Sequence, residues 1–444
     1  MKVRSVVPIL AVISVIMSLL AGCVAPVAPG AAGPAPSAAD AAQPIELTFS
    51  HFWGDPTTGA GKVVQARLDE WLAANPNVTV KTETMSHDEY YTKFRVLASS
   101  NELPDVFIMN ADMTTPLSNG GQLLDLTAAL DADPAWRDLQ IPGGMTEWTR
   151  DGRVYALPAQ MIITHVIYYN TAIFDEVGID SFPATLTEFN DAVAKLQAAG
   201  YIPVALGAKA GWPLFDCVFG TFTFRIAGLD WYNKLLAHEA KFTDPEFVTV
   251  LTTFKDLVDQ GTFNADANSI DNMQARTLYY NRDAAMFMEG NWAISEGLAG
   301  QDVEPDTEIA LWPSIEGGAG KPNEVTWAAG WGWGANGELE GAKRDAALSL
   351  LAALSSEEYG RMRLESGDLP AQKITEFDGS ALPRLFVELN QQSLAWEAVP
   401  ILTLGFPASV TDVLWKGLQE IMTGQKSPEE VAAAIQEEYD KYQE

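Results

Sequence analysis

Thirteen tryptophans are spread along this 444-residue chain, and several sit among glycines instead of on the apolar face of a helix. Trp53 follows the first apolar strand, Trp212 lies in Lys209-Ala210-Gly211-Trp212-Pro213, and Trp292 comes just after Gly290. In Gly330-Trp331-Gly332-Trp333-Gly334, indoles alternate with residues that leave backbone room. An indole is a rigid apolar plate with a single N–H. Such plates stack on the C–H face of a sugar ring, while carboxylates and amides take the rim of equatorial hydroxyls. Trp71, Trp136, Trp148 and Trp415 are read as packing residues. The local sequence around Trp212 and Trp331 carries few charges, which favours an uncharged ligand. A polyamine would need several carboxylates around the rings, and an anion would need Arg or helix N-termini.

Reactive groups are sparse by comparison. The four histidines, at 51, 87, 165 and 238, show no H-E-x-x-H spacing, and there is no P-loop, G-x-S-x-G elbow or G-x-G-x-x-G after a strand. Asn264-Ala265-Asp266-Ala267-Asn268 alternates like a calcium loop but lacks the glycine and the distal glutamate, and is read as a solvated turn. A glycosidase needs only two carboxylates about 5 to 9.5 Å apart. With 59 acidic residues such a pair stays open, so a surface polysaccharide-degrading enzyme is the alternative from another class. The expectation is a binding protein with no catalytic residue, cofactor or metal.

The elements that would position these residues alternate. Ile45 to Trp53 reads as a strand, and Gly59 to Ala74 as a helix with Val64, Leu68, Trp71 and Leu72 on one face. Val78 to Thr84, a helix aligning Tyr90, Phe94 and Leu97, and the apolar run Val106 to Met109 continue the pattern. Strand, helix, strand, helix, strand predicts a parallel sheet, with ligand loops at the carboxyl ends of the strands, here 51–56 and 110–115. A second α/β unit starts with strands at 154–157 and 162–169 and a helix to Ala199 opened by a Thr185/Glu188 capping box. Asp244-Pro245 and Ser427-Pro428-Glu429-Glu430 open two later helices.

The formal charge is −31, from 28 basic and 59 acidic residues. Such a surface repels nucleic acid and anionic lipid headgroups. Residues 6–20 are apolar but shorter than the ~20 residues that span a bilayer, and they follow Lys2 and Arg4. That is the form of a removable export signal. Leu20-Ala21-Gly22-Cys23 resembles the bacterial lipobox, which implies acylation of Cys23 and a location outside the cytoplasm on a lipid anchor. The Ala/Pro/Gly run to residue 44 then serves as a spacer. Cys217, flanked by Val218 and Phe219, has no disulfide partner and is read as a small buried side chain.

Several motifs, taken in order, resemble the extracellular solute-binding proteins of sugar ABC transporters, family 1, of the maltose-binding-protein type. They are Leu103-Pro104-Asp105-Val106, the run from Asp151 to Pro158, Tyr168-Tyr169-Asn170, Pro183-Ala184-Thr185, Ala284 to Ala293, and Gly424 to Glu430. The resemblance, over about 45–440, implies a two-lobe α/β fold with mostly parallel sheets. Residues 45–157 and 309–365 would form one lobe and 158–308 and 366–444 the other, with crossings near Ala156-Leu157-Pro158. It also implies a lipid-anchored monomer that binds an oligosaccharide between the lobes and delivers it to an ABC permease. A non-sugar cargo such as a polyamine, phosphodiester or peptide is the nearer alternative. Carried over residue by residue, Trp292 and Trp212 match stacking positions and Asp112 a cleft carboxylate. Gln160 and Asn291 match as hydroxyl binders, and His51 and Trp53 lie where the first strand's loop would enter the cleft. Trp53, Trp331 and Trp333 read equally as plugs in a lobe, Asp112 equally as a helix cap beside Thr114, and His51 as a local hydrogen-bonding residue.

Overall fold

The computed structural model describes residues 43–141 and 143–442. The apolar leader, Cys23 and the spacer as far as residue 42 lie outside the described residues. Strand β1 (Ile45–His51) buries Leu47 and Phe49. Helix α1 (Gly59–Ala74) starts where the Thr58 hydroxyl accepts the Gly61 amide at 3.1 Å. Strand β2 (Val78–Thr84), helix α2 (His87–Ser100) and strand β3 (Val106–Asn110) follow. β1 pairs in parallel with both β2 and β3, which the helical crossovers α1 and α2 make possible. Asp105 accepts the amide and hydroxyl of Thr48 at 2.7 and 2.9 Å and pairs with Lys343 at 2.8 Å, clamping β3 to β1.

The next strands divide differently from the sequence expectation. β4 (Ala156–Ile163) runs through the predicted gap, and β5 (Val166–Asn170) begins only after Thr164 and His165. β4 is buried along nearly its whole length, so no polar face marks it, and Pro158 and Gln160 mask its continuity. The larger sheets are completed by β6 (Ile202–Ala205), β7 (Ala284–Glu289), β8 (Thr307–Ala310), β9 (Glu324–Ala335) and β10 (Glu397–Val399). The first sheet has the order β10-β9-β3-β1-β2, with β4 also paired to β9; the second has the order β8-β5-β7-β6.

The expected mostly parallel character holds around β1 and is corrected in the second sheet. There β5 runs antiparallel to both β7 and β8, and only β6–β7 is parallel. β5 arrives directly from β4, and the βα units that follow run the other way.

Helix α3 (Leu186–Ala198) carries the predicted Thr185/Glu188 capping box. Helices α4 (Pro245–Asp259), α5 (Asn272–Tyr280), α6 (Glu357–Glu365), α7 (Ala408–Met422) and α8 (Pro428–Tyr442) follow; α5 packs on β6 and β7, α6 on α1, and α4, α7 and α8 on one another. Three buried clusters result. One surrounds β1–β3 and includes Trp148 and Trp333; a second joins α3, α4, α7 and α8 through Phe189, Phe254, Leu418 and Ile435. The third lies between the second sheet and α5 and includes Tyr168, Phe287 and Ala275.

The antiparallel pair β4–β9 joins the lobes. Leu157 and Trp333 at one end belong to the first cluster, while Ile163 and Val325 at the other belong to the third. The first expected crossing therefore falls within β4. The return expected at residue 309 falls inside β8, which is still bonded to β5 of the second sheet. A Cβ at Gly332 would sit 2.6 Å from the Trp148 indole, so glycine there lets β9 lie against that ring. Among the described residues no helix is long and apolar enough to cross a membrane.

Candidate functional site

A cavity of about 280 Å³ opens between the lobes. On the first-lobe side it is lined by Phe52 after β1, His87 and Tyr91 on α2, Asp112 after β3, and Trp331 on β9. These rings interlock: the Trp331 centroid lies 4.8 Å from Phe52, 5.3 Å from His87 and 6.2 Å from Tyr91, all edge to face. Edge-to-face packing uses both faces and rims of the rings and leaves a stiff wall.

The second-lobe side is lined by Trp212, Trp292 and Trp415, all half-buried. Trp212 and Trp292 stand 6.0 Å apart and tilted by 55°. Each is held by its N–H. Trp292 donates to Glu289 at 2.9 Å, and Glu289 is gripped by the buried Arg276, whose Nε donates at 2.6 Å, and by Asn272 at 3.1 Å. Trp212 donates across the lobes to Asp88 at 2.9 Å and lies 5.1 Å from the His87 ring. A Cβ at Gly290 would lie 2.0 Å from the Trp292 ring, so only glycine lets the indole fold over its own backbone. The Trp415 indole N–H has no hydrogen-bond partner.

Four carboxylates reach the same cavity: Asp88, Asp112, Asp216 and Glu296. The expectation of few charges near the rings is corrected here, because these acids come from separate segments. Burial raises the Asp112 carboxyl, opposed by the Tyr91 hydroxyl that donates to it at 2.6 Å. Burial also pushes Asp216 up to about 7; the Thr403 hydroxyl, donating at 3.2 Å, opposes this and the charge of Asp112 adds to it. Glu296 is raised by burial against the pull of Arg276, 2.9 Å away. Burial pushes Asp88 upward too, but His87, the Trp212 N–H and Lys209 outweigh it and leave it below the usual range.

Of the residues singled out in the sequence, Trp292, Trp212, Trp331, Asp112 and Gln160 line the cavity. Asn110 caps the turn after β3, its side chain accepting the Asp112 amide at 3.4 Å, so Asp112 is not the cap. Gln160 is largely committed: its side-chain oxygen accepts from Arg363. Trp53, Trp333, His51 and Asn291 do not line the cavity. Trp333 is fully buried between Phe49 and Trp53, each 5.6 Å away. Trp53 is buried with the Arg363 guanidinium 4.3 Å from its ring. His51 packs 4.6 Å from Phe49, and burial drives its pKa down to about 4. Asn291 accepts the Ile163 amide at 2.8 Å and donates to Asp368 at 3.0 Å, which ties the second lobe to β4.

Sequence reasoning missed Trp415, His87, Asp216 and Glu296. One signal was available for the two acids. Asp216 follows Trp212 and Glu296 follows Trp292 by one helical turn in Trp-Pro-Leu-Phe-Asp and Trp-Ala-Ile-Ser-Glu, and side chains four apart share a face. Trp415 similarly shares a face of α7 with Thr411, which also lines the cavity. The calcium-like segment closes on itself: Asn264 accepts the Leu206 amide and donates to Asp266, both at 2.7 Å.

Two α/β lobes joined by a shared ribbon, with a ring-lined cavity between them, define a two-lobe binding protein. The chain belongs to the bacterial extracellular solute-binding protein family, whose profile matches residues 54–361. It is 28% identical over 257 residues to an ABC transporter extracellular-binding protein of Pyrococcus horikoshii, covering 56% of each chain. The chain thus spans about half the length of the curated relatives it matches. Among solved structures it is similar to a chitin oligosaccharide binding protein, with a TM-score of 0.82 at 23% identity over 90% of this chain and 98% of that one. It is also similar to a protein solved in work on xylan utilization by the thermophilic bacterium Caldanaerobius polysaccharolyticus. That TM-score is 0.80 at 24% identity, over 88% of this chain and 99% of the other.

Proposed function

We propose that this protein is an extracytoplasmic receptor that captures an oligosaccharide between its lobes and hands it unchanged to an ABC permease. The observation that carries the reading is the cavity itself. Half-buried indoles from one lobe face an interlocked ring wall from the other, and carboxylates stand between them. That is the arrangement a pyranose wants, with plates for its C–H faces and acceptors for its hydroxyls. One structural neighbour is named a chitin oligosaccharide binding protein and another comes from work on xylan utilization, which supports the same class of ligand.

The two lobes act as two bodies flexing on the β4–β9 ribbon, with β8 staying in the second body through its pairing with β5. A ligand that touches both biases an existing open and closed equilibrium. The lipobox-like Leu20-Ala21-Gly22-Cys23 supports a lipid anchor on Cys23, and the receptor works there as a monomer without catalytic turnover. An anionic cargo such as a phosphodiester is disfavoured, because among the described residues no Lys or Arg lines the cavity.

A thermal-shift screen of mono- and oligosaccharides tests the reading, since a ligand at 100 times its Kd adds about 2.7 kcal/mol of stability. Stabilisation by an oligosaccharide recovered intact supports the receptor. Release of cleaved products from labelled glycans would make the protein an enzyme, and stabilisation by no sugar at all would end the carbohydrate reading.

A further inference from the structure

The four cavity carboxylates are not equally satisfied. Glu296 is ion-paired with Arg276 at 2.9 Å. Asp88 takes the Trp212 N–H at 2.9 Å, lies 2.9 Å from His87 Nδ1, and feels Lys209. Asp112 takes the Tyr91 hydroxyl and feels the Met113 backbone amide, and Asp216 takes the Thr403 hydroxyl; among the described residues neither has an ion-pair partner at hydrogen-bond distance. The second oxygen of Asp112 is out of solvent and has no hydrogen-bond partner. Arg95, the cation nearest in influence to Asp112, pairs with Asp412 at 3.6 Å. Among the described residues no Lys or Arg lines the cavity.

These two acids come from opposite lobes, Asp112 from the turn after β3 and Asp216 from the segment that starts at Trp212. Both line the cavity between the lobes, and the charge of Asp112 raises the Asp216 carboxyl. Closing the lobes on a neutral ligand therefore leaves these two acids either to face each other as like charges in a desolvated space or to take up protons, and both are costly. A cation between them reverses the sign of that interaction. Among the described residues no three acidic, histidine or cysteine groups converge as a metal cage, so the charge wanted is that of an organic cation. Trp212 stands one helical turn before Asp216 and on the same face, so an apolar plate and a carboxylate are offered side by side.

Resting on the carbohydrate reading above, we propose that the ligand is an amino-sugar oligosaccharide with a free ammonium group that seats between Asp112 and Asp216 while its ring stacks on Trp212. The shared chemistry, a primary ammonium on apolar carbon, is also offered by linear polyamines, and the test must separate the two. Calorimetry on the purified protein would use pairs of oligosaccharides that differ only in N-acetylation, in several linkages, with spermidine as a third arm. The free-amine member should bind at least about tenfold tighter than its acetylated partner, the low end of a charge-assisted hydrogen bond. In Asp216→Asn and Asp112→Asn, each confirmed as folded by its melting transition, that ratio should fall below about threefold.

An acetylated saccharide binding as tightly as its free-amine partner, or a ratio unmoved in both variants, overturns the proposal while the carbohydrate reading stands. Absence of binding by every amine-bearing saccharide also overturns it. Binding of spermidine with no saccharide bound at all removes the carbohydrate reading and this proposal together.

Discussion

The two walls of the cavity are built from the same material and held in opposite ways. On the first lobe Trp331 is wedged by Phe52, His87 and Tyr91 and is nearly out of solvent. On the second lobe Trp212 and Trp292 are half-exposed, and a hydrogen bond from each indole N–H to a carboxylate sets its orientation. Packing makes the first wall part of a core; polar anchors make the second a set of plates with a face to spare. A ring that is part of a core should report on folding when removed, and a plate should report on binding.

The largest effect that sharpens this contrast is expected behind the plates. Arg276→Met leaves the buried Glu289 and the half-buried Glu296 without their cation and should cost about 3 to 5 kcal/mol in a urea unfolding titration. On the first wall, Trp331→Ala should cost about 3 kcal/mol in the same measurement, as large-to-small core changes do. A loss below 1 kcal/mol would mean that the wall is not the stiff unit its ring contacts describe. A smaller effect is expected from Gly290→Ala. The new methyl must displace the Trp292 ring, so affinity for a bound saccharide should drop about tenfold in calorimetry while the protein stays folded.

A separate effect, comparable in size to the core losses, is one of pH. Asp216 in the folded, ligand-free protein titrates near 7, far above its unfolded value. Between about pH 4 and 7 the folded state keeps a proton that the unfolded chain has shed, so this group's contribution to stability falls as pH rises through that window and is level above it. The stability of Asp216→Asn minus that of the natural protein should therefore grow from pH 4 to 7 and then stay constant. A difference that shrinks over that range would place the Asp216 carboxyl in a compensated environment.

Much of the first lobe was legible because its elements are local. The β1, α1, β2, α2, β3 run shows clean periodicity, and the Thr185/Glu188 capping box is a short-range signal that the second lobe keeps. β4 was cut short in the reading because a strand buried on both faces has no alternation to show. The glycine-flanked indoles pointed to the cavity for Trp212, Trp292 and Trp331, yet the same argument failed for Trp333. Two residues along β9, past a register irregularity against β4, its ring lies among Phe49, Trp53 and Tyr359 instead of at the opening. The acids were harder still. Asp112 was singled out by its motif, but Asp216 and Glu296 are distant from it in sequence, and only the fold makes the three neighbours around one space.

The central claim is that an oligosaccharide is held between the anchored plates of one lobe and the ring wall of the other. Calorimetric titration of Trp292→Ala, with the saccharide that most raises the melting temperature of the natural protein, tests it most directly. The account predicts at least about a tenfold loss of affinity in a protein that still folds, whereas a folded Trp292→Ala protein with undiminished affinity would contradict it.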